Sequence, residues 1–225
     1  MKKLRLLLFF LITFLVSTIG NAQNNVSFHF GTALPLYDFG SSALDNEDAG
    51  GAATGLNAGI QLIYPISDNG FGIFGGIDFN YNALKKGVRN DIEELYESLG
   101  IVNAEYNFFE YINIPLTTGV NYSFSTNEKF GLFLEAGLAL NLLKVTNFEL
   151  EVNNQTITQG MDIASNIGVK LSGGVSINRK MKISVTYFGL GEHEIEGEVV
   201  SGNNSDPVEG RVSVDLLALS LGVLF

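Results

Sequence analysis

The chain has no cysteine, so it carries neither a disulfide nor a thiolate metal site. Cations are scarce: 13 Lys and Arg stand against 24 Asp and Glu, a formal net charge of −11. Nucleic-acid binding is excluded on that balance, because phosphates need Lys and Arg. There are only two histidines, His29 and His193. No glycine-rich phosphate loop and no zinc-type ligand spacing occurs. Beyond the first turns of sequence, no apolar run approaches the roughly 20 residues that a spanning helix needs.

The one concentrated apolar run opens the chain. In "MKKLRLLLFFLITFLVSTIGNAQ", Lys2, Lys3 and Arg5 precede an apolar stretch from Leu6 to about Val16, and small residues Gly20 and Ala22 follow. This is the three-part build of a secretory signal peptide, with cleavage expected after Ala22. Residues 1–22 are therefore set apart, leaving 23–225 as one domain of 203 residues. Losing Lys2, Lys3 and Arg5 takes the formal charge from −11 to −14.

What fills the rest is a period of two. "VSFHFGT" alternates Val26, Phe28 and Phe30; "GFGIFGGIDFNYN" puts Phe71, Ile73, Ile77, Phe79 and Tyr81 on one face; "YINIPLTTGVNYSF" does the same with Ile112, Ile114, Leu116, Val120, Tyr122 and Phe124. With "LNAGIQLIYPI", "FGLFLEAGLALNL", "IASNIGVKLSGGVSI", "MKISVTYFGL" and the closing "RVSVDLLALSLGVLF", this makes eight strands. The connections "SDNG" (67–70), "STNEK" (125–129) and "NRK" (178–180) are tight turns, whereas 36–53, 84–105, 145–160 and 200–210 read as long loops. Short and long links in strict alternation, with an even strand count, predict an all-β, eight-stranded antiparallel up-and-down transmembrane β-barrel. Closure leaves no strand edge unpaired in lipid.

Each strand has one face of Phe, Leu, Ile, Val and Tyr and one of Gly, Ala, Ser and Asn with few charges. A soluble surface carries more charge than that second face. It suits the narrow, side-chain-filled interior of an eight-stranded barrel. The large apolar face suits lipid, and Tyr64, Phe71, Tyr122, Phe124 and Phe130, flanking the tight turns, suit an interfacial aromatic girdle. The competing assignment is a soluble lipocalin-like barrel with the faces reversed.

On these strands the chain resembles the small outer-membrane β-barrel families of the OmpA-transmembrane or OmpX kind. "NAQ" and "YINIPL" are similar to segments of porin-like barrel proteins of the Bacteroidota. The resemblance implies a cell outer membrane location, surrounding outer-membrane lipid and handling by the barrel-assembly machinery. It also implies that Phe225, with Val223, Leu221 and Leu219 at alternate places behind it, is a C-terminal assembly signal.

Four features bear on chemistry. Glu135 and Lys170 lie on the small-residue faces of adjacent strands, as Asp78 does on its own strand, so Glu135 and Lys170 are expected to form a structural ion pair in the lumen. "NDIEELYESLG" reads as a short helix in the second external loop. Asn90 and Glu93 would form its capping box, Ile92, Leu95, Tyr96 and Leu99 its apolar stripe, and Gly100 its stop. "GEHEIEGEVV" alternates Glu192, Glu194, Glu196 and Glu198, an acidic hairpin above the membrane in the plainer reading and a cation site in the sharper one. A bulge at Gly189 or Gly191 would decide which way these carboxylates face. His29 reads as a satisfied interior histidine, and His193, near Ser201 and Ser205, has no motif that fixes a nucleophile. The expected function is thus a non-enzymatic structural or surface-interaction role carried by external loops, with no cofactor or metal. A narrow passive channel for small solutes is the alternative, and lipid modification the third.

Overall fold

The computed structural model describes residues 25–225 except 44, 45, 47, 127, 128, 154, 179 and 203. The expected signal peptide, 1–22, lies outside the described residues. In chain order the elements are β1 (Asn25–Pro35), α1 (Tyr37–Gly40), β2 (Gly55–Pro65), β3 (Phe71–Ala83), α2 (Lys86–Ser98), β4 (Glu105–Asn107), β5 (Glu110–Ser125) and β6 (Phe130–Val145). They continue with β7 (Phe148–Val152), β8 (Gln155–Met161), β9 (Ile163–Ile177), β10 (Met181–Ser201) and β11 (Asn204–Leu224).

Eight of the strands close into a ring in the order β1-β2-β3-β5-β6-β9-β10-β11, every neighbour antiparallel. The seam pairs β1 with β11, from Ser27↔Leu224 to Pro35↔Leu216. It is fastened at the lower end by the Phe225 N–H donating to the Val26 carbonyl at 2.8 Å.

The alternation of residue types decides which side faces out. Leu221 is 61% exposed and Ile167 70%, while Asn80, Asn113 and Asn141 are 0% exposed. Apolar groups outside and amides inside invert the order of a soluble barrel, because hydrocarbon, not water, is the solvent of the outer face. The lipocalin-like alternative is thereby removed. Phe71 and Tyr122 pack at 4.6 Å between ring centroids, and Tyr122 and Phe124 at 5.7 Å, in the rim beside the tight turns.

Two of the expected long loops are sheet instead. The 145–160 segment holds the hairpin β7–β8, turning at Asn153, whose φ is 51°. The 200–210 segment is not a loop: β10 and β11 stay paired up to Ser201↔Asn204, with Gly202 at φ 59° in the turn. The upper end of β10 also pairs with β8, β8 with β7 and β7 with β4. The wall thus extends on one side into an external sheet. Composition gave no sign of this, because polar strand residues free of the lipid constraint look like loop residues.

α2 also differs from expectation. It begins at Lys86, a turn before Asn90, and Lys85 is its N-cap without a side-chain hydrogen bond. Asn90 is inside the helix, so the Asn90–Glu93 capping box does not form. Buried Val88 explains the early start: it extends the docking face by one turn. The stop is as expected. Gly100, at φ 85°, donates to the Glu97 carbonyl at 2.9 Å and Ile101 to that of Tyr96 at 3.0 Å, the double closure of a Schellman motif.

Candidate functional site

The inward faces stack into three layers. The lowest holds the charges. Lys170 Nζ is 3.1 Å from Asp78 Oδ2, and His29 Nε2 is 2.7 Å from Asp78 Oδ1. Glu135 accepts from Gln61 Nε2 at 2.9 Å and Asn121 Nδ2 at 3.0 Å, with Lys182 Nζ 3.7 Å away. The expected Glu135–Lys170 pair is therefore corrected. Both residues are in the lumen, but each is matched to a different partner. In the ladder Glu135 faces Ser172 and Lys170 faces Gly137, so neither is directly opposite the other. The lumen is narrow enough for long side chains to cross it, and Lys170 reaches β3 instead of the strand beside it. His29 is the satisfied interior histidine it was expected to be. Lys182, Gln61 and Asn121 were missed, although each occupies an inward position in its strand's alternation. Phenylalanines fill the space between: Lys170 Nζ is 5.5 Å from the Phe74 ring and 5.4 Å from that of Phe188, and Lys182 Nζ is 4.5 Å from that of Phe133. Such cation–aromatic contacts favour a desolvated ammonium.

The middle layer is made of amides. Ser220 Oγ donates to Asn57 Oδ1 at 2.8 Å, and Asn57 Nδ2 to Asn80 Oδ1 at 2.8 Å. On the adjoining strands β5 and β6, Asn141 Nδ2 reaches Asn113 Oδ1 at 2.8 Å, and it also reaches His193 Nε2 of β10 at 3.0 Å. Since Nε2 accepts, the His193 Nδ1–H donates to the Gly191 carbonyl at 3.1 Å. His193 is thus neutral, and both ring nitrogens are engaged.

The upper layer is an apolar cap. α1 folds over the mouth and seats Phe39, fully buried, against Tyr111 at 5.0 Å between ring centroids. Leu84, Val88, Leu143, Leu190, Val214 and Leu216 complete it. Tyr111 Oη donates to the Gly50 carbonyl at 2.6 Å, and Lys85 Nζ to that of Gly40, tying the segment after β1 to the wall. Tyr37 begins this segment at φ 47°, a conformation that a bulky residue rarely takes.

Above the cap stand α2 and the external sheet. Of the expected stripe, Ile92 packs on the apolar cap, and Tyr96 lies 6.2 Å from Phe148 and 6.0 Å from Tyr106 between ring centroids. Leu95 and Leu99 do not dock: they are 56% and 69% exposed. With Val88 added, the docked face runs Val88–Ile92–Tyr96 at i, i+4, i+8, which turns the other two toward water. The open question at the glycines is answered by a bulge between Gly189 and Gly191, with Gly191 at φ 77°. Leu190 is the extra residue, and beyond it the inward positions pass from even to odd numbers. His193 and Ile195 turn into the barrel, while Glu192, Glu194, Glu196 and Glu198 face outside. Arg211 Nη1 lies 3.5 Å from Glu192. Among the described residues no group of three His, Asp or Glu is placed to hold a metal ion. Ser205 Oγ donates to Glu198 at 2.6 Å, away from His193.

Toward the other end, Phe225 meets Phe28 edge-on at 5.7 Å, and Val223, Leu221 and Leu219 are exposed along the outer face. The residues of the expected assembly signal are thus a lipid-facing row beside the seam.

A closed ring of eight antiparallel strands, an apolar outer band and a polar filled lumen define an outer-membrane β-barrel of the small kind, and the outer membrane is the location those surfaces require. The sequence matches no protein-family model and no curated protein. The structure is similar to solved outer-membrane barrels. OprG from Pseudomonas aeruginosa aligns over 91% of this chain and 96% of its own, with a TM-score of 0.51 and 13% identity. The Neisserial surface protein A aligns over 90% and 96%, at 0.47 and 16%. Ail from Yersinia pestis aligns over 91% and 100%, at 0.41 and 13%.

Proposed function

We propose that this protein is a non-enzymatic outer-membrane barrel with a closed lumen, whose task is interaction at the cell surface through α2 and the external sheet. The observation that carries the reading is the filling of the lumen at three levels: crossed ion pairs, an amide layer and an apolar cap. The lower lumen has a cavity of about 20 Å³ beside His29, Lys170 and Lys182, room for about one water molecule and no solute. A catalytic role has less support, because His193 has no free nitrogen and no serine beside it.

The deciding measurement is conductance of the refolded barrel in a planar bilayer. The closed reading expects a baseline without unitary steps. Reproducible steps, kept after further purification, would favour the narrow solute channel instead. The surface role is tested separately: protease added to intact cells should cleave in the β10–β11 hairpin and leave the wall strands whole.

A further inference from the structure

The amide layer of the lumen is incompletely paired, in a way that identifies a ligand. Asn80, Asn113 and Asn141 are all fully buried, on the neighbouring strands β3, β5 and β6. Asn80 and Asn113 are direct partners in the ladder, and Asn113 and Asn141 are joined by their 2.8 Å hydrogen bond. Yet Asn80 Nδ2, Asn113 Nδ2 and Asn141 Oδ1 make no hydrogen bond, and neither does Oδ1 of Asn82, two residues along β3. Leaving a buried amide group unpaired costs about 1–3 kcal/mol, so three in one layer, with a fourth at the level of the cap, call for a partner.

The chemistry of that partner follows from the donors and acceptors left over. Two amide NH2 groups, each with two N–H donors, and two carbonyl oxygens are unpaired. An anion would satisfy the N–H groups and oppose the oxygens; a cation would do the reverse. No charged side chain belongs to this layer, and Asp78, two residues before Asn80 on β3, is already held by Lys170 and His29. A water molecule both accepts and donates hydrogen bonds, two of each, so it can meet amide donors and carbonyl acceptors at once. We propose that the Asn80–Asn113–Asn141 layer is a water-binding site, built to hold at least one long-lived internal water. The water accepts from Asn80 and Asn113 and donates to Asn141, while Asn82, opposite Tyr111, belongs to the level above. The apolar cap seals this layer from the outside, so its water exchanges only past the charged layer, from the periplasmic end.

The test is nuclear magnetic resonance of the refolded barrel in detergent micelles, with amide-labelled asparagine. Side-chain amide protons of Asn80 and Asn113 should show direct cross-peaks to water, in both laboratory- and rotating-frame experiments, with signs that report slow exchange. The double variant Asn80→Leu/Asn113→Leu should lose that site while keeping the heat-modifiable gel shift of a folded barrel. If the wild-type amides show no water cross-peaks and instead reveal direct Asn80–Asn113 hydrogen bonding, the layer is dry and the proposal is overturned. Water cross-peaks that persist at Asn141 with unchanged intensity in the folded double variant overturn it as well. The wild-type spectrum alone decides the matter should the variant fail to fold.

Discussion

The crossed ion pairs of the lower lumen make a prediction that separates the observed pairing from the one the sequence suggested. Asp78 and Lys170 are both nearly fully buried, 3.1 Å apart. At that distance and an effective dielectric of about 20, their Coulomb attraction is roughly 5 kcal/mol before desolvation is subtracted. Removing one partner strands the other, at a cost of about 3–5 kcal/mol. In Lys170→Met, Asp78 keeps only His29. In Asp78→Asn, Lys170 keeps only the faces of Phe74 and Phe188. The double variant leaves no stranded charge, so it should cost clearly less than the sum, with a coupling of about 2 kcal/mol or more. Glu135 is different. It accepts from two amides, and its cation is at 3.7 Å without a hydrogen bond, so Lys182→Met should cost less than Lys170→Met. The assay is urea unfolding of the barrel refolded in detergent, followed by gel shift and fluorescence for each member of the cycles. Additive costs for Asp78 and Lys170, or a larger coupling for Glu135 with Lys170, would refute the pairing described above.

Leu221→Arg should destabilise the refolded barrel by about 2–4 kcal/mol, because it places a cation in hydrocarbon. Gly222→Ala, on the lumen side, should cost less in the same urea assay, although its new methyl would come 3.0 Å from the Phe28 carbonyl oxygen. Phe39→Ala should cost about 3–5 kcal/mol by emptying the centre of the cap. It should nevertheless give no conductance steps in planar bilayers, since two filled layers remain below. Gly191→Ala should be destabilising by about 1–2 kcal/mol, through its φ of 77° and a clash 2.5 Å from Asn166 Nδ2. Proteolysis of the external hairpin should then be faster, because the bulge sets which way it faces. Leu99→Ala should change stability by no more than about 0.5 kcal/mol, whereas Gly100→Ala should cost about 1 kcal/mol, both read from thermal unfolding.

The eight wall strands, their inward and outward faces and the tight turns between them were legible in the sequence for a local reason. The side-chain period of a strand is fixed by the backbone, and lipid imposes an apolar residue at every second place across the whole band. The signal was lost where that constraint ends. Above the rim both faces of a strand meet water or protein, so β7, β8 and the upper halves of β10 and β11 have loop-like composition. Gly191 is one glycine among 26, and only its place in the ladder makes it the bulge that turns His193 inward and four glutamates outward. Inside the barrel the sequence determined that Glu135, Asp78 and Lys170 point into the lumen, because alternation dictates direction. It did not determine whom they meet. Partners there come from across the ring, 92 residues apart for Asp78 and Lys170. That distance is set by barrel diameter, strand stagger and the reach of each side chain, quantities that exist only once all eight strands have closed.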